Sequence, residues 1–105
     1  DYLIEGVNLK TFSGDEELPE YFFTLSPEEF IRIRRGLGDV VASFEFSLKD
    51  DRKNFVIDIN GEEINVDTTE DTELIVLSNF IEEENLIKID AKNSFDILEF
   101  KVVLE

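Results

Sequence analysis

Apolar and polar residues alternate with a period of two through most of this chain, which commits it to extended strands with one buried face. In residues 39–48, Val40, Ala42, Phe44, Phe46 and Leu48 fall on one side, while Ser43, Glu45 and Ser47 fall on the other. Phe55, Ile57 and Ile59 alternate with Asp58 and lead into Asn60-Gly61, followed by Ile64 and Val66. Asn-Gly between two such segments predicts a tight hairpin, because both residues tolerate positive φ. Ile87, Ile89 and Ala91 alternate with Lys88 and Asp90, and Leu98, Phe100, Val102 and Leu104 with Glu99, Lys101 and Val103. Residues 72–80 break the pattern. Leu74, Ile75, Val76 and Leu77 form a continuous apolar run, which predicts a strand covered on both faces.

The first third is mixed. Residues 3–12 read as an opening strand, 13–17 as a loop, and 20–25 as a short aromatic strand. Ser26-Pro27-Glu28-Glu29 carries helix-start chemistry: a capping Ser, Pro in the first turn and Glu three residues after the cap. Phe30-Ile31-Arg32-Ile33-Arg34 alternates, however, and this favours a strand over a helix of one or two turns. About eight strands at roughly ten-residue spacing predict an all-β, antiparallel two-sheet β-sandwich. With 105 residues, no internal repeat and no Pro/Gly/Ser linker, residues 1–105 read as a single domain.

Composition narrows the chemistry. The chain has neither His nor Cys, so Ser-His and Cys-His nucleophile pairs, imidazole or thiolate metal sites and disulfides are excluded. No phosphate loop, EF-hand spacing or nucleophile elbow is present. Paired carboxylates arise by chance in so acidic a chain, and we expect no enzymatic activity. The net charge of −16 opposes nucleic acid and anionic membrane surfaces. It otherwise gives a solvated acidic surface or draws cations and basic partners. No apolar run approaches the ~18 residues of a membrane span. The chain begins at Asp1 and has no Met, from which we expect a processed chain or an excised module.

Some side chains stand out as candidate ligand contacts. Tyr21 and Phe23 share one face of their strand and Phe22 takes the other, and an exposed ring there would offer a platform for a sugar. Arg32 and Arg34 would share the outward face if residues 30–34 form a strand. There they would bridge neighbouring acidic strands or line a polar groove. Asp67, Glu70, Asp71 and Glu73 cluster between two strands and read as an exposed turn, with calcium as the alternative.

Residues 85–91 (Asn-Leu-Ile-Lys-Ile-Asp-Ala) and 93–102, with Phe95-Asp96-Ile97-Leu98-Glu99-Phe100, resemble the closing strands of galactose-binding-like jelly rolls. Among these are the carbohydrate-binding modules of families six and thirty-five. Leu3-Ile4-Glu5-Gly6-Val7 is similar to their first strand, and Asn60-Gly61-Glu62-Glu63 to their central hairpin. The resemblance implies a structural calcium held by Glu5 and Asp96, and a sugar contact at Asn93. The chain departs from the pattern at Leu3, which replaces a first-strand acid, at Ser94, which displaces the Asn by one position, and in having no Trp. It implies a non-catalytic carbohydrate-binding or accessory module of a secreted carbohydrate-active protein. Such a module would be extracellular or at the cell surface, would bind polysaccharide or oligosaccharide, and would have neighbouring domains in a larger chain. The alternative is a structural or protein–protein interaction module without a small ligand.

Overall fold

In the computed structural model, which describes residues 2–11 and 20–105, the alternating segments pair into two antiparallel four-stranded sheets. The elements in chain order are β1 (Tyr2–Thr11), β2 (Glu20–Thr24), α1 (Pro27–Arg34), β3 (Val40–Phe46) and β4 (Lys53–Ile59). There follow β5 (Glu62–Thr68), β6 (Thr72–Val76), β7 (Glu84–Ala91) and β8 (Phe95–Leu104). One sheet has the order β1-β8-β3-β6 and the other β2-β7-β4-β5. The chain therefore passes repeatedly between layers, which is the eight-stranded jelly-roll arrangement. β1 and β2 approach each other at one side of the sandwich, so the two edge strands β5 and β6 lie at the other.

The alternation builds the core as expected. Phe44, Phe46, Phe55, Phe95 and Phe100 interlock between the sheets with ring centroids 5.0–5.9 Å apart. Ile57, Ile59, Ile87, Ile89, Ile97 and Val102 fill the rest of the layer. Each such side chain taken from water contributes about 1.5–3 kcal/mol, and these terms hold the two sheets together. The Asn60-Gly61 hairpin forms where the sequence places it, with φ of 54° at Asn60 and 87° at Gly61. Both lie in the left-handed region that a two-residue turn between twisted strands demands.

Four expectations are corrected. Residues 27–34 form a helix, not a strand. The Ser26 hydroxyl accepts from the Glu29 amide at 3.1 Å while the Glu29 carboxylate accepts from the Ser26 amide at 2.8 Å, closing a capping box. At the other end, Gly36 (φ 74°) donates to the Ile33 carbonyl and Leu37 to the Arg32 carbonyl, each at 3.0 Å, which completes a Schellman motif. Phe30 and Ile33, three apart, turn toward the core and Ile31 stays exposed, so the apparent alternation is incidental.

The strand from Thr72 is not covered on both faces: β6 is a sheet edge, with Leu74 72% and Val76 54% exposed. In β8 the pairing with β3 skips Leu98, since Glu45 faces Glu99 and Phe46 faces Ile97. The extra residue shifts the parity, so Ile97 is buried and Leu98 turns partly outward. Leu48, expected on the inner face of the best strand, lies beyond the end of β3 and is exposed.

Candidate functional site

The edge of β6 is the least self-contained part of the surface. Asp71 and Leu77 share backbone hydrogen bonds with Phe46 and Val40 of β3 at 2.8 Å. By the alternation of an antiparallel ladder, the residues between them, Thr72, Leu74 and Val76, turn their amides and carbonyls away from β3. Nothing among the described residues pairs with that side. The same residues carry their side chains on the outer face, where Val76 lies beside Val41 and Leu74 beside Ser43. Val41 faces Val103 on its other side, so an apolar strip crosses three strands and reaches the edge at Val76. On the core side, Ile75 of β6 and Ile64 of β5 are half-buried. An unpaired backbone, apolar side chains and acidic flanks can together accept an extended segment of another chain.

The crossover from β5 to β6 is held firmly. The Lys53 ammonium is fully buried and donates to the Glu70 carbonyl at 2.9 Å and the Thr69 carbonyl at 3.4 Å, 5.4 Å from the centre of the Phe46 ring. The Thr68 hydroxyl donates to the Glu73 carboxylate at 2.6 Å, tying the end of β5 to β6. These contacts consume donors and acceptors of the turn formed by residues 67–73. Arg52 holds Asp67 through two hydrogen bonds of 2.8 and 2.9 Å. Asp67 and Glu73 therefore point to different partners. Among the described residues no group of three or more Asp or Glu side chains gathers to hold a metal ion.

The residues singled out from the sequence do not converge. Tyr21 and Phe23 share a face as expected, but it is the inner one. Phe23 is buried, and Tyr21 packs against Phe100 at 5.1 Å, where burial pushes its hydroxyl pKa up. Phe22 is the exposed ring, 71% accessible and opposite Leu86. Arg32 and Arg34 sit on α1, two residues apart on a helix, so they do not share a face. Arg32 donates to the Leu37 carbonyl at 3.2 Å, and the Arg34 guanidinium lies 5.0 Å from the Phe30 ring centre. Among the described residues neither forms an ion pair.

Asn93 spends both ends of its amide on main chain, donating to the Arg52 carbonyl and accepting from the Asn54 amide, each at 2.8 Å. It staples the β7–β8 turn to the start of β4. Asp96 lies 3.6 Å from the Lys49 ammonium. The register sets Glu5 opposite Lys101 and Asp96 opposite Lys10, five residues apart along the ladder. That is roughly 16 Å of strand between the two positions. The side chain of Glu5 lies outside the described residues.

Sequence reasoning did not single out Leu74 and Val76 as exposed, nor Lys53 as buried. Lys53 has the parity of Phe55, Ile57 and Ile59, and that alternation was the available signal. No family model, no curated protein and no solved structure matches this chain.

Proposed function

We propose that this domain is a non-catalytic protein-interaction module, and that it engages its partner along the open edge of β6. The observation that carries the reading is the pairing of an unmatched strand edge with Leu74 and Val76 exposed on it. Supporting it, the side chains that would have contacted a small ligand are turned inward, dispersed on α1, or bonded to the domain's own backbone. Asn85 is equally committed: its amide accepts from Asn60 at 2.9 Å and the Glu82 amide at 2.7 Å, and donates to the Glu82 carbonyl at 2.8 Å. The test is selection of peptides from a random library on the wild-type domain and on a Leu74→Pro variant. Pro at that position removes an outward amide that no neighbouring strand uses. Enrichment on the wild type alone supports the reading, and equal enrichment on both refutes it.

One observation favours a second reading, in which the module binds carbohydrate. Phe22 stands exposed on the outer face of β2, between the rows Glu20–Lys88 and Thr24–Glu84, which supply hydroxyl-bonding groups beside an apolar ring. Retention on insoluble polysaccharide, lost in Phe22→Ala and kept in Leu74→Pro, would establish it. Free passage of the wild type over a broad set of polysaccharides would remove it.

A further inference from the structure

Charge on and around β6 specifies the partner more closely, provided that the edge-binding reading above holds. Between Lys53 and Lys88 the chain has ten Asp or Glu residues and no Lys or Arg. That stretch contains most of β4, all of β5 and β6, and the crossover between the two edges. Around the open edge the acids are unevenly placed. Glu70 and Asp71 precede β6, and Glu45 sits opposite Thr72 on the outer face. All are exposed, and none has an ion-pair partner among the described residues. The other end of the same strand is apolar, with Val76 beside Val41 and Leu74 between the two halves. A second copy of this chain would bring another net charge of −16, and the same acids, against this edge.

We infer that β6 receives an extended peptide segment of a basic partner, added as a further strand of the β1-β8-β3-β6 sheet. Its Lys or Arg residues lie toward Thr72, and apolar residues lie over Leu74 and Val76. The outward amides and carbonyls of Thr72, Leu74 and Val76 supply the ladder, the apolar strip supplies buried area, and the acids fix direction and partner charge.

The probe is a synthetic acetylated peptide, Val-Thr-Val-Thr-Lys-Thr-Lys, compared with versions carrying Glu or Ser at the two Lys positions. Binding is read by fluorescence anisotropy, and the edge is read by amide exchange at Thr72, Leu74 and Val76. The Lys peptide is expected to bind about ten-fold or more tighter than the Glu peptide, with a gap that closes as salt is raised. It should protect those three amides and lose binding to Leu74→Pro. Because the Pro variant could fail to fold, Leu74→Lys is measured beside it and is expected to repel the Lys peptide. The double replacement Glu45→Gln with Asp71→Asn should shrink the gap between Lys and Glu peptides.

If the Ser peptide binds the edge as tightly as the Lys peptide, the charge assignment is overturned while edge binding stands. If no peptide protects Thr72, Leu74 or Val76, both fall. A wild-type dimer in sedimentation that Leu74→Lys dissolves overturns the basic partner in favour of a second copy.

Discussion

β5 and β6 are a matched pair of edges built with opposite surfaces. They close the same side of the sandwich and are joined by a crossover of only a few residues. Each turns alternate backbone groups outward at residues whose side chains also lie on the outer face. On β5 those residues are Glu63, Asn65 and Asp67, and on β6 they are Thr72, Leu74 and Val76. Charged side chains on an edge deter a foreign strand, and Asp67 is further clamped by Arg52. β6 has no such guard on its outer face. The difference shows that openness at β6 is local: the same fold, one crossover earlier, supplies a protected edge.

The largest effect is expected at Lys53, which pins the crossover between the two. Lys53→Ala leaves the Thr69 and Glu70 carbonyls without their donor and opens a cavity beside Phe46. Urea denaturation should show a loss of about 2–4 kcal/mol. Hydrogen exchange should accelerate more in β6 than in β5, because β5 keeps its tight hairpin to β4 while β6 depends on a distant partner, β3. Gly61→Ala should act on the other edge. A side chain at φ 87° costs roughly 1–2 kcal/mol, and exchange should rise mainly in the β4–β5 hairpin. If both variants loosen the two edges equally, the edges are one cooperative unit and the contrast drawn between them fails.

Exchanging the surface chemistry should have a smaller energetic effect. Leu74→Lys places a charge on an exposed edge position and is expected to change stability by no more than about 0.5 kcal/mol. The converse replacement, Asp67→Val, strips the guard from β5 and frees Arg52. In acidified solution, where the net charge no longer opposes self-association, light scattering should rise for Asp67→Val and fall for Leu74→Lys relative to the wild type. Unchanged scattering in both would mean that side-chain charge does not govern access to these edges.

The sequence showed the layer structure more clearly than it showed the surface. Period-two alternation and Asn60-Gly61 identified the strands and their hairpin because both are local properties, set by side-chain parity and by φ. The helix was also legible at its ends, where Ser26, Pro27 and Glu29 signalled a start. The alternation of Phe30 to Arg34 competed with that signal, and the caps at both ends prevailed. Position within a sheet is non-local. Leu74-Ile75-Val76 reads as apolar whether the strand is central or at an edge, and only the order β1-β8-β3-β6 exposes it. The same limit applies to the candidate site. Parity separated Phe22 from Tyr21 and Phe23 correctly, but nothing in a lone strand says which face meets the core. For Asn93 and Asp96, similarity of pattern carried no information about their backbone and side-chain partners, which come from the β3–β4 connection and the start of β4.

The finest distinction between the edges should appear on acidification. The two hydrogen bonds from Arg52, followed by its charge, hold the Asp67 carboxyl below the ordinary Asp value of 3.8. The folded state therefore binds fewer protons at this site than the unfolded chain does. Its contribution to stability is complete above the unfolded pKa and disappears as pH falls through the lower, folded one. Asp67 is exposed, so solvent and salt screen the pair and the effect is small. Wild type and Asp67→Asn should differ slightly in urea midpoint at neutral pH and converge once the medium is acidic enough to protonate Asp67. The same depression keeps the guard on β5 charged further into acid than an unpaired Asp would allow. Self-association of the wild type on acidification should consequently begin at β6, and amide exchange should report protection at Leu74 and Val76 before Asn65. Protection appearing first at Asn65 would mean that the Arg52–Asp67 pair is not what keeps β5 closed.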